Sequence, residues 1–73
     1  MIVEITKDSS KYGVRFPLVG EFYKAKPYRY DSEKVTLLYK VDSKTHEKSK
    51  DQYWDEPMYN EYRYNLRVVS NAL

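Results

Sequence analysis

Apolar residues recur along this chain mostly at every second position, the period of a half-buried strand and not of a helix. Met1 to Thr6 is rich in β-branched side chains, with Val3 and Ile5 on one face. Asp8, Ser9 and Ser10 then supply turn chemistry. Val14, Phe16 and Leu18 alternate with Gly13, Arg15 and Pro17 before Gly20 closes the segment, and the proline assigns this stretch to an edge or a loop. Glu21 to Tyr30 reads as a longer strand, with Phe22 as its core residue and Pro27 marking a bulge, an edge or the strand's end. After the turn residues Asp31, Ser32 and Glu33, the pattern is clearest at Lys34 to Val41. There Val35, Leu37, Tyr39 and Val41 are expected on one face, with Thr36, Leu38 and Lys40 on the other. A final strand is expected to carry Tyr62, Tyr64, Leu66 and Val68 inward, alternating with Arg63, Asn65, Arg67 and Val69.

Asp42 to Gln52 holds no strongly apolar residue, which predicts a long exposed polar loop or an extended hairpin tip. A short helix from Ser43 would be polar on every face. Four or five short strands with tight turns make the chain all-β, a small antiparallel barrel or sandwich. An SH3-like arrangement is favoured over an OB-like one, because an OB-fold usually carries a helix that only residues 43–52 could supply. The predicted organisation is one β domain over residues 1–69 and a short tail at 70–73.

Length confines this fold to one modest core: the chain has 73 residues, and Leu, Ile, Val and Phe together number 16 of them. Nine tyrosines enlarge the apolar surface, whereas the absence of cysteine removes disulfides and thiolate metal sites. No apolar run approaches the roughly 18 residues of a membrane span, and no basic region followed by an apolar segment marks a leader. The expected location is therefore cytoplasmic, away from membranes. Net charge is only +2, but its distribution is uneven. Residues 1–41 carry eight basic and five acidic side chains, 42–61 three and six, and 62–73 two and none, giving +3, −3 and +2.

Catalysis is argued against by what is missing. His46 is the one histidine, there is no cysteine, and glycines only at 13 and 20 permit no phosphate loop. The serines stand at no motif spacing from a base. Neither an enzyme nor a cofactor is expected. His46, Glu47 and Asp51 could ligate a metal, but one imidazole among solvated carboxylates lacks a supporting shell, so no metal site is assigned.

The tyrosines point elsewhere. Tyr23, Tyr28, Tyr30, Tyr39, Tyr62 and Tyr64 are interleaved with Lys24, Lys26, Arg29, Lys40, Arg63 and Arg67. Strand-borne rings beside cations hold single-stranded nucleic acid on β platforms. Tyrosine serves equally well at the margin of a small core, where its ring packs and its hydroxyl reaches water. The candidate nucleic-acid or nucleotide set is Tyr23, Lys24, Lys26, Tyr28, Arg29, Tyr30, Arg63 and Arg67. Residues 51–61 instead set Tyr53, Trp54, Met58 and Tyr59 among Asp51, Asp55, Glu56 and Glu61, which would repel phosphate but suit a protein with a basic rim. Tyr53, Trp54, Met58 and Tyr59, flanked by Arg63 and Arg67, are therefore the candidate protein-binding anchors.

The run Leu18-Val19-Gly20-Glu21-Phe22-Tyr23-Lys24-Ala25, then Tyr28, then Lys34-Val35-Thr36-Leu37-Leu38, followed by Asn60, Tyr62 and Arg63, resembles small accessory proteins of tailed bacteriophages. The resemblance covers mainly residues 12–41, and the polar stretch 42–52 departs from it. It implies a non-enzymatic protein that binds a host protein and modulates or inhibits it, in the host cytoplasm. The leading expectation is such a protein-binding module, with homodimerisation through an exposed strand as one route of association. Single-stranded nucleic acid or a nucleotide-like phosphate is the alternative ligand.

Overall fold

The structure, a computed structural model, describes residues 1–7, 18–50 and 59–71, with Tyr59 described by its backbone alone. It is all-β. Strands β1 (Ile2–Ile5), β2 (Phe22–Pro27), β3 (Lys34–Val41), β4 (Tyr59–Tyr62) and β5 (Leu66–Ser70) form one sheet in the order β4-β3-β2-β1-β5, every pair antiparallel. Each strand from β1 to β3 thus lies beside its successor, and the last returns to the first. The sequence segment 13–17, the turn at 8–10 and the tail residues 72–73 fall outside the described residues.

One face of the sheet carries the core. Val3 and Ile5 of β1, Tyr23 and Ala25 of β2, Val35 and Leu37 of β3, and Leu66 of β5 pack into a single buried cluster. The period-two reading of Val3 and Ile5 holds. In β2, however, Tyr23 and Ala25 are the buried residues, while Phe22 is half-buried on the opposite, outer face. Register explains the exchange: Val3 stands opposite Tyr23, and Glu4 opposite Phe22. Tyr23 is tolerated inside because its hydroxyl donates to Glu21 Oε1 at 2.8 Å, as a buried phenol requires.

The expected single apolar face of β3 is also corrected. Lys24 pairs with Tyr39 but Ala25 with Leu37, so Leu38 is a bulge residue with no partner in the ladder. One extra residue reverses the alternation. Val35 and Leu37 face the core, whereas Tyr39 and Val41 lie on the outer face with Lys24 and Phe22, and Lys40 comes round to the side of Tyr23.

The chain beyond β3 adopts the hairpin-extension alternative over residues 42–50, and no helix starts at Ser43. Asp42 organises the turn: its Oδ1 accepts from the amides of Lys44 at 2.7 Å and Thr45 at 3.0 Å, and its carbonyl accepts from the His46 amide. His46 takes a positive φ of 61° there. Lys48 then bridges back to Val41, which remains buried although it faces outward.

The expected continuous strand from Tyr62 to Val68 is in fact two strands. A single 3-10 turn at Arg63–Asn65 separates β4 from β5 and carries the chain from one edge of the sheet to the other. Glu61 fixes this corner. Its side chain is buried and its Oε1 accepts from the Tyr62 amide at 2.8 Å and from Asn65 Nδ2 at 3.0 Å.

Candidate functional site

The outer face is built in rows that cross the strands. Continuing the β2–β3 register by one residue, the Tyr28 amide donates to the Lys34 carbonyl at 3.2 Å, and Lys34 stands opposite Tyr62 of β4. Tyr28, Lys34 and Tyr62 therefore share the first row. Two residues along, Lys26 of β2, Thr36 of β3 and Asn60 of β4 make the second. Across the Leu38 bulge, Lys24 and Tyr39 make the third, with Ile2 of β1 beside Lys24. Every row contributes one strand lysine.

Aromatic contacts concentrate in the first row. The Lys34 ammonium lies 4.6 Å from the centre of the Tyr62 ring, and Tyr62 stacks on Tyr64 with centroids 4.9 Å apart and planes 16° from parallel. Tyr28 meets Tyr30 edge to face at 5.6 Å, and the Arg29 guanidinium sits 5.5 Å from the Tyr30 ring. Tyr30 and Tyr64 are largely exposed, at 76% and 59%. The backbone that presents them is tied together, because the Arg63 amide donates to the Glu33 carbonyl at 2.8 Å and Arg63 Nε to the Ser32 carbonyl at 3.0 Å. In the third row Lys48 lies 5.5 Å from the Tyr39 ring. In the second, the Thr36 hydroxyl donates to Asn60 Oδ1 at 2.7 Å.

The strand side chains described on this face carry an excess of positive charge. Among the described residues, Lys24, Lys26 and Lys34 make no ion pair, whereas Glu4, on the outer face beside Phe22, is held by Arg67 Nε at 2.6 Å. The Met1 ammonium donates to the Ala25 carbonyl at 2.9 Å, and its pKa is lowered by burial and by the nearby Lys24 charge.

The two sets of site residues expected from the sequence fare differently. Of the nucleic-acid set, Lys24, Lys26 and Tyr28 lie in the rows, and Arg29 and Tyr30 at the adjoining turn. Arg63 is spent on the Ser32 carbonyl and Arg67 on Glu4. Tyr23 is a correction: at 1% exposure, its ring belongs to the core and offers no face to a base. Of the protein-binding set, Tyr53, Trp54 and Met58 lie outside the described residues, and the backbone of Tyr59 opens β4 opposite Leu37. Lys34 and Lys48 were missed, and so were Thr36 and Asn60. A period-two match between Lys24-x-Lys26-x-Tyr28 and Lys34-x-Thr36 was available in the sequence, but joining the two required the strand register.

A second candidate is a depression of about 310 Å³ beside Glu21, Phe22, Lys40 and Asp42. Its acid and base already engage each other, Lys40 Nζ lying 3.0 Å from Glu21 Oε2. Among the described residues no three His, Cys, Asp or Glu side chains gather as a metal site. His46 instead places its ring 6.3 Å from that of Phe22, near parallel. No helix among these residues is long and apolar enough to cross a membrane. No protein-family model matches the chain, and no curated protein or solved structure does either.

Proposed function

We propose that the protein is a non-enzymatic binding module that takes single-stranded nucleic acid on the outer face of its sheet. The observation that supports this reading is the first row, where an ammonium that makes no ion pair among the described residues stands between tyrosines on neighbouring strands. A single strand presents both of the chemistries this row would meet, a phosphate for the cation and a base for the rings. The frame is read as SH3-like: the return of β5 to β1 and the lack of a helix over 42–50 favour it over an OB-like barrel.

The reading is tested by titrating an oligothymidylate at about 50 and about 200 mM salt. With three lysines on phosphates, binding should saturate and weaken roughly twenty-fold across that interval, from a slope of about −0.7 per contact. A flat response even at the lower salt would remove nucleic acid as the ligand.

A second reading, a phage-type accessory protein that modulates a host protein, is supported by a surface that shares Tyr64 with the first row. Tyr64, Val68 and Val69 are exposed where the 3-10 turn meets edge strand β5, and Arg63 and Arg67 flank them. Tyrosine and arginine are favoured at protein interfaces. Capture of one protein from nuclease-treated lysate, lost on Tyr64→Ala, would bring this reading forward.

A further inference from the structure

We infer that the outer face is a lane for three consecutive nucleotides, one per row, with Lys34, Lys26 and Lys24 each taking one phosphate. The inference rests on the ligand class proposed above and adds its length, direction and stoichiometry of contacts. Rows two residues apart along β2 are separated by about 6.7 Å, so on that strand the first and third lie about 13 Å apart. A stacked nucleic-acid strand advances about 3.4 Å per nucleotide, and an unstacked, extended one roughly twice that. One nucleotide per row therefore matches an extended strand running along β2 and β3, not a stacked one. A duplex, whose bases are already paired and stacked, does not meet this spacing.

The rows also differ in what they offer a base. The first has the Tyr62 and Tyr64 stack and the third has Tyr39, so rings stand at both ends. Among the described residues the middle row has no ring: the buried Thr36 donates to Asn60 beside the exposed Lys26. Bases at the two ends stack, while the middle nucleotide is held chiefly through its phosphate. Lys40 lies outside the lane, turned to the other side by the Leu38 bulge and paired with Glu21.

The test uses the intact chain and oligothymidylates of one to eight nucleotides, with a duplex of matched charge as comparison. Affinity should climb steeply up to three nucleotides and only slightly thereafter, and the duplex should bind more weakly than the single strand. Lys24→Ala, Lys26→Ala and Lys34→Ala should each reduce the salt slope by about 0.7, and Tyr62→Leu should weaken binding about five-fold or more. Lys44→Ala and Lys50→Ala, on the hairpin extension, should leave the slope unchanged. Circular dichroism confirms that each variant is folded, and Lys26→Arg, which keeps the charge, should restore the slope. Saturable binding that ignores all three lane lysines, or affinity that keeps climbing steeply to eight nucleotides, overturns the lane while the ligand class stands. An absence of binding to any oligonucleotide overturns the ligand class and the lane with it.

Discussion

Three donors converge on the carboxylate of Glu21: the Leu18 amide and Tyr23 hydroxyl, each 2.8 Å from Oε1, and the Lys40 ammonium, 3.0 Å from Oε2. Burial alone would raise this carboxyl, but the three donors more than offset it and hold the pKa below its ordinary value of 4.5. A depressed carboxylate contributes stability that is fully present above the unfolded-state value and is lost as pH falls through the folded one. Denaturant midpoints should therefore be level near neutrality and fall as pH drops below about 4.5. Glu21→Gln should lower the neutral midpoint and flatten this acid limb; an unchanged limb would assign it to other carboxylates. The adjoining turn depends on Gly20, whose φ of 89° suits a residue without a side chain and whose amide reaches the Ile5 carbonyl at 2.9 Å.

At the scale of elements, the corner between β4 and β5 rests on one buried acid. Glu61→Ala would strip the acceptor from the Tyr62 amide and the Asn65 side chain, at a cost of about 1–3 kcal/mol. Glu61→Gln keeps an acceptor oxygen and should cost less, as equilibrium unfolding would show; equal losses would mean that charge, not acceptance, matters there. This corner was not legible in the sequence. Tyr62, Tyr64, Leu66 and Val68 maintain period two straight through the turn, with no glycine or proline to punctuate it. The Leu38 bulge was hidden for a related reason: Leu37, Leu38 and Tyr39 are all apolar, so either register satisfies the pattern. By contrast β1, most of β2 and the bounds of β3 were legible, because each pairs strand-forming residues with turn residues at its ends. Lys24, Lys26 and Tyr28 were legible as a possible binding face, but Lys34 joins them only through cross-strand pairing.

Across the whole molecule, four of the five strands contribute to a core of seven principal side chains. So few groups leave little redundancy. Leu37→Ala should cost about 2–5 kcal/mol, a large part of the roughly 4–11 kcal/mol expected for a chain of this length. A fall in Tm of at least about 8 °C is expected, from roughly 4 °C per kcal/mol, and a smaller fall would show that the site collapses around the gap. The lane lysines carry no such role, so their removal should leave Tm nearly unchanged. The seven-residue cluster contains none of these lysines, so measurements of stability and of binding can be separated.

The unpaired leucine at position 38 acts as a phase shifter. Excising that single residue would close the ladder without turning anything over, because Leu37 and Tyr39 already stand opposite the consecutive residues Ala25 and Lys24. Flattening the bulge with the leucine retained would do the opposite, rolling a phenol and a valine inward and a lysine outward, and so undoing the clasp on Glu21 in one stroke.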